Sequence, residues 1–331
     1  MRRRTTWLAL GLGVLFLTAC ATIELNLGPR IAPLRERTIA GTGEDKILMV
    51  SLDGLLMIGG GRQSQLPYGV RESLIERLAE ELDRAAEDKR IKALLVRIDS
   101  PGGTVSASDV VHHQIKRYKE RTGAKVTACL MGVAASGGYY AAVAADRVIA
   151  LPTTITGSIG VISLKLNLAG LMVRHGVETE TVKSAPLKDM WSPFRPATDD
   201  ERRIMKDLIG DMYMRFRETV RTGRPNMTPE QLDRAANAQV FTAAQALALG
   251  LIDRIGYPED ALEEAKKAAG LKEARLVVYQ RPGAYRPNIY AQSEEYGRWL
   301  EAADLLALAA SPQLMYLWLP GWQFRTGHGL E

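Results

Sequence analysis

Three apolar runs, Lys46–Leu52, Ile91–Ile98 and Lys125–Met131, each end in a turn of small or polar residues, and helical periodicity follows each turn. After the first, Leu74, Leu78 and Leu82 recur every four residues; after the second, Val105 to Arg121 is helical; after the third, a helix opens at Tyr139. Strands alternating with helices at this spacing require crossover connections and predict an α/β fold with a mainly parallel sheet and flanking helices. Farther on, the pattern predicts a strand over Asp146–Ala150, a helix over Leu168–Arg174 and a strand over Glu178–Val182. A capping box at Thr198–Glu201 opens a long helix to about Arg221, a short strand at Val240 leads into a helix stopped at Gly250, and a helix over Pro258–Ala269 precedes a strand over Arg275–Gln280. In open sheets of this kind ligands sit beyond the carboxyl ends of the strands. Gly102, Gly103 and Ser136 fall there.

The ends of the chain read differently. Arg2, Arg3 and Arg4 precede an apolar run from Trp7 to Leu17, then Thr18, Ala19 and Cys20. Eleven apolar residues are short for a bilayer span and suit an export signal, which places the catalytic part outside the cytoplasm. The ending Leu17–Cys20 resembles the bacterial lipobox, which implies acylation of Cys20 and a membrane anchor in the cell envelope. Residues 21–45 read as a linker, 46–280 as the main domain and 281–331 as an aromatic-rich extension. Net charge is only +5, with no basic run interleaved with aromatics, so nucleic-acid binding is excluded as a reading. Cys20 and Cys129 are the two cysteines, and Cys129, inside an apolar run, is expected to be a buried strand thiol. No Cys/His spacing fits a metal: the adjacent His112 and His113 point about 100° apart on a helix and are expected at the surface.

The stretch Met131–Tyr140 carries the chemistry. Ser136 lies between Ala134 and Ala135 on one side and Gly137 and Gly138 on the other, residues too small to cover its hydroxyl. A serine at the first turn of a helix, next to unpaired backbone N–H groups, suits attack on a carbonyl; it also suits an ordinary N-cap. A nucleophilic serine needs a base. No histidine has a motif-like setting, and Lys183 and Lys188 are the lysines in the irregular, proline-containing loop that follows residue 182. Leu187, Met190 and Trp191 beside Lys188 offer the burial that makes a lysine a base, whereas a surface ion pair with Asp189 is the plain alternative.

Four blocks in order, Asp99–Gly103, Ala135–Tyr140, Thr156–Ile162 and Lys183–Pro196, resemble those of bacterial signal peptide peptidase A, in its short single-repeat form. The resemblance runs from about Lys46 to Leu271. It implies the Clp-protease/crotonase-like fold and a serine endopeptidase acting on cleaved signal peptides and other apolar peptides, with no cofactor. It further implies Ser136 as nucleophile, Lys188 as base, Ser158 as the residue orienting that base, and an oxyanion hole at the N–H groups of Gly103 and Gly137. Homo-oligomerisation, as an octamer with serine and lysine drawn from neighbouring subunits, is implied as well. Asp99, where the family commonly has asparagine, and Ala185, where it has glycine, depart from the pattern. The rival readings are an inactive lipoprotein scaffold of the same fold and a crotonase-like acyl hydrolase.

Overall fold

The computed structural model describes residues 32–58, 73–284, 286–291 and 313–319. The expected signal at 1–20, with Cys20, lies outside the described residues. In chain order the first half runs β1 (Arg35–Ala40), β2 (Lys46–Asp53), α1 (Leu74–Glu87), β3 (Ile91–Ser100), β4 (Gly102–Thr104), α2 (Val105–Thr122), β5 (Lys125–Ala135), α3 (Gly137–Ala142), β6 (Arg147–Ala150), β7 (Ile155–Gly157) and β8 (Ile162–Ser163). The second half adds α4 (Ala169–Arg174), a 3-10 turn at Pro186–Asp189, α5 (Asp199–Gly223), α6 (Pro229–Ala235), β9 (Val240–Thr242), α7 (Ala243–Ala248), β10 (Arg254–Ile255), α8 (Pro258–Ala268), β11 (Arg275–Gln280) and β12 (Leu314–Leu317).

The main sheet has the order β1-β11-β2-β3-β5-β6-β10, with β7 beside the end of β5 and β9 beside β7. Pairings among β11, β2, β3, β5, β6, β7 and β10 are parallel, and β1 and β9 add antiparallel edges. The apolar runs are unbroken because both faces of the sheet are covered. Along β3, Leu94, Val96 and Ile98 enter the larger core cluster with helices α1, α2 and α3, while Ala93 and Leu95 enter a second one under α8. Each such aliphatic side chain contributes about 1.5–3 kcal/mol relative to an exposed one. Cys129, in the second cluster, is a buried thiol that burial pushes up to about 12. Arg97 interrupts the apolar pattern, and its Nη2 reaches both carboxylate oxygens of buried Asp53, at 2.8 and 3.0 Å.

Three expectations change. Residues 35–40, inside the expected linker, form an edge strand against β11; their charged, half-exposed side chains carry no core signal because one face meets water. The stretch 178–182 is not a strand: it is exposed and joins no sheet among the described residues. The C-terminal extension is also not wholly separate, since β12 lies between β4 and β8 and forms a small antiparallel sheet with them. Among the described residues no helix is long and apolar enough to cross a membrane.

Candidate active site

At the end of β5 the chain turns abruptly into α3, and Ser136 is the residue at the turn. Its φ of 53° and ψ of −115° are a conformation that L-residues avoid, at a cost of about 1–3 kcal/mol. Hydrogen bonds on both sides hold it there: its N–H donates to Gly157 O at 2.7 Å, and its carbonyl accepts from Tyr140 N at 2.8 Å. Gly137 is required next, because a Cβ there would lie 2.2 Å from Ser108 Oγ. Tyr139 and Tyr140 pin the helix by donating to Leu251 O at 2.7 Å and Asp109 Oδ1 at 2.8 Å. The Ser136 side chain does not act as a cap. Its Oγ is buried, in a residue only 1% exposed, and has no hydrogen-bond partner among the described residues.

Beside Ser136 runs β4. Leu56 N donates to Gly102 O and Thr104 N donates to Leu56 O, both at 2.9 Å. Strand alternation therefore turns the Gly103 peptide groups the other way, toward β12. Gly103 must lack a side chain, since a Cβ would come within 1.9 Å of Leu56 O. Opposite Gly103 in the register is Tyr316, whose carbonyl oxygen packs against Gly102 and Gly137. The two expected oxyanion donors, Gly103 and Gly137, thus flank one carbonyl of a strand that fills the slot between β4 and β8. The Tyr316 ring enters a cage with Tyr140 stacked at 5.1 Å and Phe216 at 4.6 Å, and its hydroxyl donates to Met212 O at 2.8 Å. Met315 and Leu317 pack with Leu55, Met57, Ile162 and Leu164. In the sequence Tyr316 is one aromatic among several in the aromatic-rich extension, because a strand that pairs with two very short strands leaves no periodic signature.

The other expected site residues divide. Ser158 is near Ser136: it is buried, at a φ of 51°, with its N–H on Gln239 O at 2.7 Å, and its neighbour Gly157 accepts the Ser136 N–H. Lys188 is not brought to Ser136 within one chain. It sits exposed in the 3-10 turn, with Leu187 beside it 47% exposed, so the burial expected from its apolar neighbours is not supplied by the chain alone. Nor does it pair with Asp189. That carboxylate is taken by Arg195, at 2.8 and 2.9 Å, and by Lys183 at 2.6 Å, which hold it well below the usual carboxylate range. Asp99 accepts the Val133 N–H at 3.0 Å and so fixes the strand before the turn. Of the adjacent histidines, His113 is exposed as expected, but His112 packs edge-on to the Tyr140 ring at 5.3 Å. Burial, with Lys116 next, pushes His112 down to about 4. Among the described residues no cluster of three or more metal-ligating side chains occurs.

The arrangement sets a buried serine hydroxyl at a strained turn beside the Gly103 and Gly137 peptides and a slot filled by an extended strand, while Lys188 stays apart from it within one chain. Residues 118–272, which contain Ser136, Ser158 and Lys188, match the peptidase S49 family; residues 59–156 match the Clp protease family. A protein named as a protease in Synechocystis is 41% identical over 203 residues, 61% of this chain and 70% of its own. A protein named as the signal peptide peptidase SppA in Enterococcus faecium is 33% identical over 240 residues, 72% of this chain and 68% of its own. Among solved structures, a ClpP1 mutant from Listeria monocytogenes aligns with a TM-score of 0.41 and 18% identity, over 65% of this chain and 94% of that one.

Proposed function

The chain belongs to the SppA family of serine proteases, peptidase family S49, and on that premise we propose a membrane-anchored endopeptidase that cuts signal-peptide-like apolar peptides with Ser136 and Lys188. The observation that carries this reading is the buried, unpartnered Ser136 Oγ at a left-handed turn, beside a slot that takes an extended strand. A substrate peptide adds itself there as a strand, with main-chain bonds giving affinity and side-chain pockets giving preference. The pockets are apolar, lined by Tyr140 and Phe216 on one side and Leu55, Met57 and Ile162 on the other.

In this scheme Ser136 Oγ attacks the scissile carbonyl while the Lys188 amine takes its proton. The oxyanion is met by the N–H groups of Gly103 and Gly137, and Ser158 orients the amine. The proton passes to the leaving amine. Water, deprotonated by the same lysine, then releases the acyl group. A lysine serves as base only when desolvated. A second copy of the chain provides that: the segment around Lys188 leaves Val173 80%, Val182 95% and Phe194 48% exposed, an apolar surface suited to a neighbouring subunit. The ring is proposed to be an octamer. Acylation of Cys20 would tether the enzyme to the envelope membrane, with the catalytic domain outside the cytoplasm.

A serine-directed fluorophosphonate tests the reading. Labelling of the intact chain should disappear in both Ser136→Ala and Lys188→Ala. Unchanged labelling in Lys188→Ala removes the lysine as base, and no labelling of the unaltered protein favours an inactive scaffold.

A further inference from the structure

The 3-10 turn carrying Lys188 has little to hold it, since residues 174–188 are exposed throughout. Its one strong attachment is at its end. The Arg195 guanidinium donates Nε to Asp189 Oδ2 at 2.9 Å, and Nη2 to Asp189 Oδ1 at 2.8 Å and to the Asp189 carbonyl at 3.1 Å. The same group reaches Glu201, with Nη1 on Oε2 at 3.1 Å and Nη2 on Oε1. Glu201 is only 1% exposed and is itself fixed, closing the capping box of α5 with Thr198. Helix α5 in turn seats Phe216 and Val220 in the core, and Phe216 lies 5.0 Å from the ring of Tyr140, in the helix that Ser136 begins. From the other side Lys165 Nζ donates to the Arg195 carbonyl at 3.0 Å. One planar, bidentate side chain therefore joins the loose turn to a helix packed on the serine-bearing element, a geometry that a point charge cannot reproduce.

We infer that Arg195 is a positioning residue for Lys188, clamping its turn to the first turn of α5 through Asp189 and Glu201. This rests on the reading of Lys188 as the base. The clamp also occupies the carboxylate next to Lys188, so that Asp189 is engaged by Arg195 and Lys183 instead of by that amine.

The test is steady-state cleavage of an apolar peptide by the full-length assembled protein, with assembly mass and melting temperature recorded for every variant. Arg195→Gln should lower kcat roughly 100-fold, the cost of misplacing a catalytic group by about an ångström, with KM changed less than about twofold. Arg195→Lys should recover part of the loss. Asp189→Asn should resemble Arg195→Gln, and the double variant should lose no more than either alone, as parts of one unit do. Wild-type kcat in both Arg195→Gln and Arg195→Lys overturns the inference. So does a loss confined to KM, a loss tracking assembly or melting temperature, or a double variant losing the product of the two. Lys188→Ala separates the two ideas: if it keeps wild-type kcat the base assignment fails, whereas an inactive Lys188→Ala beside a fully active Arg195→Gln sinks the clamp alone.

Discussion

At the scale of single residues, the turn at Ser136 was legible because its constraint is steric. Ser136 with Gly137 and Gly138 behind it is a run in which larger side chains would collide, and the collisions are those the structure shows with Ser108 Oγ and Ser100 O. Polar burial was not legible. His112 reads from sequence as one of a surface pair, but its ring is packed on Tyr140 by the turn of α2, and only tertiary contact decides that. Other charges surround this group: Lys116 and Asp109 on its own helix, His113 beside it and Arg215 from α5. With a folded value of about 4 against an ordinary 6.5, the folded protein binds fewer protons than the unfolded chain between those limits. The stabilisation is therefore complete above pH 6.5 and is lost as pH falls through 4. Melting temperature followed by circular dichroism should drop across that window, and in His112→Asn the drop should be shallower; an identical pH dependence would count against a half-buried neutral imidazole.

At the scale of elements, the central strands were readable because both faces are buried and the runs are continuous, and α5 was readable from its capping box. Among the elements missed, β1 and β12 meet only part of the core. The first alternates exposed and half-exposed positions, and the second draws its burial from a slot made by other elements. The converse error, a strand expected at 178–182, fell on a stretch whose β-branched residues, Thr179, Thr181 and Val182, are exposed and join no sheet. Since β12 lies across the opening above Ser136, a chain ending at residue 313 should expose the hydroxyl. The rate of fluorophosphonate labelling should then rise by about tenfold or more, in line with removal of a tethered competitor. An unchanged rate would mean that β12 leaves the slot readily. A fall would mean that it completes the site instead of covering it.

At the scale of the whole molecule, the two halves of the proposed dyad differ in kind: the serine is buried at the end of the sheet, the lysine rides on an exposed, apolar-sided segment. Local pattern could place both residues but not their separation within one chain, which is a matter of assembly and entered the sequence reading only as an implication of the family resemblance. If a neighbouring copy covers this segment, Val182→Asp and Phe194→Asp should each shift the assembly mass, read by light scattering, toward the single chain, and labelling of Ser136 should fall in parallel. Dissociation with full labelling would place the base within one subunit. The location of β12 on the same chain as the slot has one more consequence. If substrates add to the slot as proposed, dilution cannot weaken a rival that every molecule carries with it, and a KM measured for an outside peptide is an apparent one, set by exchange against a resident segment whose local concentration never changes. Short peptides that bind the slot weakly would then be spared, and long apolar ones that pair along its full length would displace it.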